Sequence, residues 1–198
     1  MKNIVYKRRS CRKFTEKPIS KEILNDIVTA GIQAPSSSNS QNYRFLLIDD
    51  KQEIEKLGSI KNPHGITKKG AAWIVVFSDN KAHSGFREEE LNIWSKVWIY
   101  NCAAAIQNIL LTATYHKIGS CWIAFVDEMD GSRLVSGKTW RELFCDYDIP
   151  EHYSIHGLAV LGYPKEIDEE GYPKGDERHG DKPIARPHFS EFMIRKKS

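Results

Sequence analysis

The sequence predicts an α+β fold, and three observations carry that prediction. Short apolar runs rich in β-branched and aromatic residues recur at 44–48, 72–77, 120–125 and 154–162. Segments with helical spacing alternate with them, at 20–31, 51–57, 88–117 and 139–147. These helices differ greatly in length, which disfavours the regular crossovers of a doubly wound α/β sheet, the other arrangement compatible with the same order.

Each element has a local reason. Ser20 is placed to cap the first helix, Glu22 and Asp26 favour its start, and Ile23, Leu24, Ile27 and Val28 fall at helical spacing. Gly31 is expected to close it at positive φ, and Pro35 to prevent its continuation. A Ser/Asn-rich loop then leads into the strand Arg44-Phe45-Leu46-Leu47-Ile48. Lys51 to Leu57 reads as a short helix, and the continuous apolar run Ala72 to Phe77 as a strand buried on both faces.

The long helix keeps Leu91, Trp94, Trp98, Cys102, Ala105, Ile109 and Ala113 on one face. Between Cys102 and Ala113 it is apolar nearly all round, which predicts a central helix covered by the sheet on one side and by a partner on the other. Ser120 to Phe125 is a third strand, Thr139 to Tyr147 a short helix and Ser154 to Gly162 a fourth strand. Residues 165–182, charged and rich in Gly and Pro, read as an exposed loop or arm. The tail from Pro183 has few core residues and is expected to fold only against something else. No linker interrupts the chain, so 1–198 is expected to be one domain, with 165–198 as extended loop and C-terminal arm.

Composition narrows the function. The chain has 198 residues, 40% hydrophobic and 28% charged, so it needs no disulfide or metal staple. A net charge of +3 is too mild to argue for nucleic acid. No apolar run is long enough to span a membrane, no signal-peptide h-region opens the chain, and four cysteines without a CxxC pair predict reduced thiols in the cytoplasm. Scattered histidines predict no metal site, and the Walker, GxGxxG and GxSxG patterns are absent.

Three clusters could carry chemistry. In Arg8-Arg9-Ser10-Cys11-Arg12-Lys13-Phe14, an extended backbone would point Arg8, Ser10 and Arg12 to one side, a guanidinium–hydroxyl–guanidinium face suited to phosphate or to a heterocycle edge. An exposed basic arm fits the same spacing. Pro35-Ser36-Ser37-Ser38-Asn39-Ser40-Gln41 is dense in short donors, and is equally readable as a polar turn. Ile118-Gly119-Ser120-Cys121-Trp122-Ile123 has a glycine that permits close backbone approach, or simply ends the long helix.

In this order, and with Val160-Leu161-Gly162-Tyr163-Pro164 after them, these pieces resemble the nitroreductase family of flavin enzymes over roughly residues 4–165. The resemblance implies a mostly antiparallel central sheet flanked by helices, in a homodimer with FMN at the subunit interface and the C-terminal arms exchanged. It implies that Arg8, Arg9, Ser10 and Arg12 hold FMN, with Arg8 toward the phosphate and Arg12 toward N1 and O2. Pro35, Ser36, Ser37, Ser38, Asn39 and Gln41 would reach the flavin from the other subunit, Trp122, Ile123 and Ala124 would lie along its ring, and Arg186 would help bind its phosphate. A guanidinium near N1 and O2 favours the two-electron reduced state, because negative charge develops there.

The implied function is ping-pong hydride transfer from NADH or NADPH through FMN to an electron-poor small molecule such as a nitroaromatic or quinone. No catalytic side chain is required, since the flavin carries the chemistry. The same resemblance admits a dehalogenase-like or flavin-fragmenting enzyme, or a flavin-storage protein without turnover. A flavin-free anion-binding module built on the arginines is the rival from outside the family. Two departures stand out: Lys117 replaces a flexible glycine, and Trp94, Trp98 and Tyr100 could form an aromatic lid or a core or dimer contact.

Overall fold

The computed structural model describes residues 2–58, 69–82, 91–124 and 139–175. In chain order these form helix α1 (Lys2–Lys7), helix α2 (Lys21–Ile32), a 3-10 turn (Ser37–Asn39), strand β1 (Tyr43–Ile48), helix α3 (Lys51–Leu57), strand β2 (Ala72–Asp79), helix α4 (Leu91–Tyr115), strand β3 (Gly119–Ala124), helix α5 (Trp140–Leu143) and strand β4 (Tyr153–Gly162).

The strands make one sheet in the order β1-β2-β4-β3, and every pair is antiparallel. This settles the fold as α+β and removes the doubly wound alternative. All eight residues of β2 are buried, as expected for a central strand covered on both faces.

Strand alternation divides the core in two. One face carries Trp73, Val75, Phe77, Leu158, Val160 and Cys121 against α3 and α5. The other carries Ile74, Val76, Ala159 and Leu161 against Cys102, Ile106 and Ile109 of α4 and Leu24 and Ile27 of α2. Each such fully buried aliphatic side chain contributes about 1.5–3 kcal/mol relative to exposure. The helix starts follow the sequence. Ser20 accepts from Ile23 N, Asp50 accepts from Glu53 N at 2.9 Å, and Thr139 with Glu142 forms a reciprocal capping box.

Several expectations are corrected. Gly31 does not close α2 at positive φ; the helix continues to Ile32. What glycine provides at 31 is room, because a Cβ there would lie 3.1 Å from two atoms of the Ile109 side chain. The expected helix 139–147 is helical only over Trp140–Leu143. Helix α1 was not anticipated, since its residues lack an apolar stripe long enough to signal a helix. Among the described residues, no helix is long and apolar enough to cross a membrane.

Candidate functional site

The basic N-terminal cluster leaves α1 at Lys7 and runs extended beside β3. Ser10 bridges Ser120 in parallel sense, and Cys11 N donates to Ser120 O at 2.8 Å. The segment then crosses to the end of β4, where Phe14 bridges Pro164 and Thr15 N donates to Tyr163 O at 2.8 Å.

A pair of glycines makes this docking possible. Gly119 and Gly162 lie opposite each other in the β3–β4 register. A Cβ on Gly119 would fall 2.7 Å from Cys11 Sγ, and one on Gly162 would fall 2.8 Å from the Phe14 ring. Cys11 and Phe14 therefore plug a bare patch of sheet and are buried, at 2% and 4% exposure. Because extended side chains alternate, burying Cys11 turns Ser10 and Arg12 the other way. Arg8, Ser10 and Arg12 are half-buried there. Arg9 behaves differently: it is exposed and its guanidinium folds back onto Tyr6 O and Arg8 O at 2.6 and 2.9 Å.

The third cluster supplies the floor of the same region. Ser120 and Trp122 alternate with the core residues Cys121 and Ile123 along β3. Trp122 is 40% exposed, and its indole lies over Gly157, where a Cβ would come 2.5 Å from Nε1. Ile106 of α4 crowds the same point at 2.8 Å. Ile123 is half-buried and Ala124 exposed. Ser120 Oγ is buried without a hydrogen-bond partner, beside Ser10. An orphaned hydroxyl, two half-buried guanidinium groups and an open indole are a donor and stacking set suited to an anionic, planar, heteroaromatic ligand.

The Ser/Asn-rich loop is more constrained than composition indicates. Pro35, Ser36, Ser37, Ser38, Asn39 and Gln41 wrap around the 3-10 turn, and Ser38, Asn39 and Gln41 all have left-handed backbones, with φ of 50, 51 and 44°. Such a run costs about 1 kcal/mol per non-glycine residue and persists only where surroundings enforce it. Ser36 Oγ accepts from Gln41 N at 3.0 Å, and Arg44 donates to Gln41 O at 2.9 Å while its other nitrogen pairs with Asp79 at 2.8 Å. Asn101 of α4 accepts from Ser37 N at 3.0 Å and donates to Ser40 Oγ and Asn42 Oδ1 at 3.2 and 2.8 Å.

The fold thus brings the first and third clusters together, and fastens the second to α4 and β1. Asn101 and Arg44 were not foreseen. Asn101 had a signal: with Trp98, Cys102 and Ala105 it falls on the apolar face of the helix, where an amide needs a partner.

A protein-family model for the nitroreductase family matches residues 5–63 and 61–163, which include all three clusters but not Arg186. The chain belongs to the nitroreductase family. A candidate NADH dehydrogenase/NAD(P)H nitroreductase of Archaeoglobus fulgidus is 31% identical over 183 residues, covering 92% of this chain and 95% of that protein. An NADPH-dependent oxidoreductase of Staphylococcus aureus is 28% identical over 87% of this chain and 67% of its own length. The structure of an FMN-dependent nitroreductase from Clostridium difficile superposes with a TM-score of 0.70, at 27% identity, over 97% of this chain and 100% of that one.

In this nitroreductase-family chain the stretch after β4 is not simply the exposed loop expected of 165–182. Its described part, through 175, folds into a small clasp in which Ile167 bridges Pro173 and Asp168 N donates to Tyr172 O at 2.8 Å. Lys7 reaches Asp168 and Glu170 at 2.8 and 2.6 Å, and Lys117 donates to Glu170 O at 3.0 Å. Both ammonium groups lie against the Tyr172 ring, 5.3 and 5.6 Å from its centre. Lys117, the departure from glycine, keeps the left-handed backbone with φ of 60°.

Arg186 lies outside the described residues, as does the side chain of Trp94. Trp98 is buried at 4%, which fits the core contact rather than the lid, whereas Tyr100 is 71% exposed. A cleft of about 760 Å³ opens elsewhere, on the α3 side, beside Phe14 and Ile54. Two of its lysines are engaged with carboxylates, Lys13 with Glu166 and Lys51 with Glu16, and it is remote in character from the indole-floored region.

Proposed function

We propose that this chain is an FMN-dependent oxidoreductase that passes hydride from NADH or NADPH to an electron-poor small molecule such as a nitroaromatic or a quinone. The observation that carries the reading is the Ser10–Ser120 bridge, which docks the arginine-bearing segment on β3, the strand that also bears Trp122, in a nitroreductase-family chain. The names of the Archaeoglobus and Staphylococcus relatives and the FMN-dependent Clostridium neighbour support it.

Bound FMN would supply the hydride acceptance and donation. The chain's own residues bind, orient and polarise. Arg8 neutralises the phosphate, with Arg9, Ser10 and Arg186 assisting. Arg12 would stand toward N1 and O2 of the group, where a guanidinium would favour the two-electron reduced state. Trp122, Ile123 and Ala124 would lie along the ring. Pro35, Ser36, Ser37, Ser38, Asn39 and Gln41 approach from a second subunit.

The homodimer implied by this assignment is supported by the exposed apolar residues Ile99, Tyr100 and Tyr115 of α4 and Val5 and Tyr6 of α1. Exchange of the C-terminal arms is part of the same proposal. Among the described residues β1 pairs only with β2, so its outer edge could receive a partner strand.

The test is the visible spectrum of the purified protein before and after anaerobic NADH or NADPH. A flavin spectrum that bleaches supports the oxidoreductase and identifies the donor. One that persists with both donors supports a storage protein. A colourless protein that takes up no added FMN returns the arginines to anion binding.

A further inference from the structure

We propose that Asn101 is a positioning residue for cofactor binding, acting through the left-handed turn at 37–41. This rests on the reading above, in which that turn meets FMN. Three backbones in the turn are left-handed, a region that Ser and Gln rarely adopt and Asn adopts more readily, and the turn's own bonds, Gln41 N to Ser36 Oγ and Gln41 Nε2 to Asn39 Oδ1, are joined by contacts from the rest of the fold. Two of these contacts are directional side-chain bonds. From β1, Arg44 holds Gln41 O and is itself fixed by Asp79. From α4, Asn101 holds Ser37 N, Ser40 Oγ and Asn42 Oδ1 with one amide.

Asn101 is suited to this work. It is 5% exposed, so its bonds are not exchanged for water, and it sits between Trp98 and Cys102 on a helix packed into the core. Its acceptor takes the N–H at the start of the turn and its donors take groups at the end. The amide therefore sets the distance between the two ends. Loss of the side chain would free the turn to relax toward ordinary backbone angles, moving the Ser37–Asn39 donors away from any ligand they address.

Asn42 gives a way to separate positioning from mere stability. Its Nδ2 is buried with no hydrogen-bond partner, while its Oδ1 accepts from Asn101. An aspartate at 101 accepts from Ser37 N and Ser40 Oγ, and a turned Asn42 amide would offer it the unused Nδ2. Asn101→Asp offers acceptors for the three contacts while adding a buried negative charge, and Asn101→Ala rebuilds none.

The experiment measures FMN dissociation and the flavin midpoint potential in the parent holoprotein, Asn101→Ala and Asn101→Asp, with amide exchange at Ser37 as a local readout. Asn101→Ala is expected to weaken FMN about tenfold, as for loss of one buried hydrogen bond at the ligand, with a shifted potential and faster Ser37 exchange. Asn101→Asp is expected to stay within about threefold of the parent on the same scale. The proposal is overturned if Asn101→Ala speeds Ser37 exchange but leaves FMN affinity and potential unchanged, or if both variants lose FMN equally. Should the alanine variant fail to fold, Asn101→Ser, which is uncharged and too short to reach both ends of the turn, replaces it in the same comparison. A parent protein that binds no FMN at all overturns the proposed function, and this inference with it; an FMN-binding parent with an indifferent Asn101 overturns only the inference.

Discussion

Two polar assemblies brace the two parts of the candidate site, and they are built on opposite principles. At the turn, the set around Asn101, with Asn42, Ser37 and Ser40, is neutral beside the Arg44–Asp79 pair that holds Gln41 O, and the two asparagines are buried. At the clasp, Lys7, Lys117, Asp168 and Glu170 are charged and remain in contact with water. A buried hydrogen bond that loses one partner leaves the other without water, so breaking it is expensive. An exposed ion pair that loses one partner leaves the other solvated, so breaking it costs little. The first assembly therefore fixes a shape, and the second tethers an added segment.

The largest effect is expected at the turn. Asn101→Ala removes the partner of Ser37 N and the nearer donor to Asn42 Oδ1, leaving it Ser40 Oγ at 3.4 Å, and should destabilise the protein by about 2 kcal/mol, measured by urea unfolding. A loss below about 0.5 kcal/mol would show that the turn relaxes freely and that its geometry is not enforced. Next, and of similar size, is the glycine pair under the N-terminal segment. Gly119→Ala would place a methyl 2.7 Å from Cys11 Sγ and 2.9 Å from Cys11 Cβ. It should cost about 2 kcal/mol and lift the arginine segment from β3, weakening FMN as well. Alanine in a strand is ordinarily no worse than glycine, so a stabilised Gly119→Ala protein would contradict the docking.

A smaller effect concerns Lys117, which joins both themes because its backbone is strained and its side chain reaches the clasp. Alanine there removes the bond to Glu170 O and keeps the left-handed strain. Glycine removes the same bond and relieves the strain. Lys117→Gly should therefore be about 1 kcal/mol more stable than Lys117→Ala in paired thermal melts. Equal stabilities would mean that the strain is absorbed elsewhere.

The same contrast explains what could be read from the sequence. The four strands and the long helix were legible because each has an apolar run or stripe that must be buried, and periodicity records burial. The close approach at Gly119 was legible because glycine has few other reasons to follow a helix and open a strand. The role of Gly31 was misread because its neighbour Ile109 is 78 positions away in the chain, and local sequence cannot show what packs on a glycine. Asn101 was missed for the same reason: its partners at 37–42 become neighbours only when α4 and α2 pack. The clasp was read as a loop because its fixing groups, Lys7 and Lys117, are remote and its composition is that of solvated chain. Local pattern reveals which side chains are buried; it does not reveal which distant polar groups they meet.

The smallest effect should come from the clasp, and its response to pH and salt tests the comparison most directly. The hydrogen bond to Lys7 holds the Asp168 carboxyl below its ordinary value of 3.8, with help from Tyr172 N. Asp168 and Glu170 in turn hold the Lys7 ammonium above 10.5. A carboxyl with a lowered folded value contributes fully above 3.8 and loses its contribution as pH falls through that lowered value. An ammonium with a raised folded value contributes fully below 10.5 and loses its contribution as pH rises through that raised value. The stability difference between the parent and Lys7→Met should therefore be flat from about pH 5 to 9, and should shrink with added salt as exposed charges are screened over about 8 Å. The difference between the parent and Asn101→Ala should also be flat in that range but should ignore salt, because no charge is involved. If both differences fell together with ionic strength, the turn too would be held by electrostatics reaching through solvent, and the distinction between a fixed shape and a tethered segment would not survive.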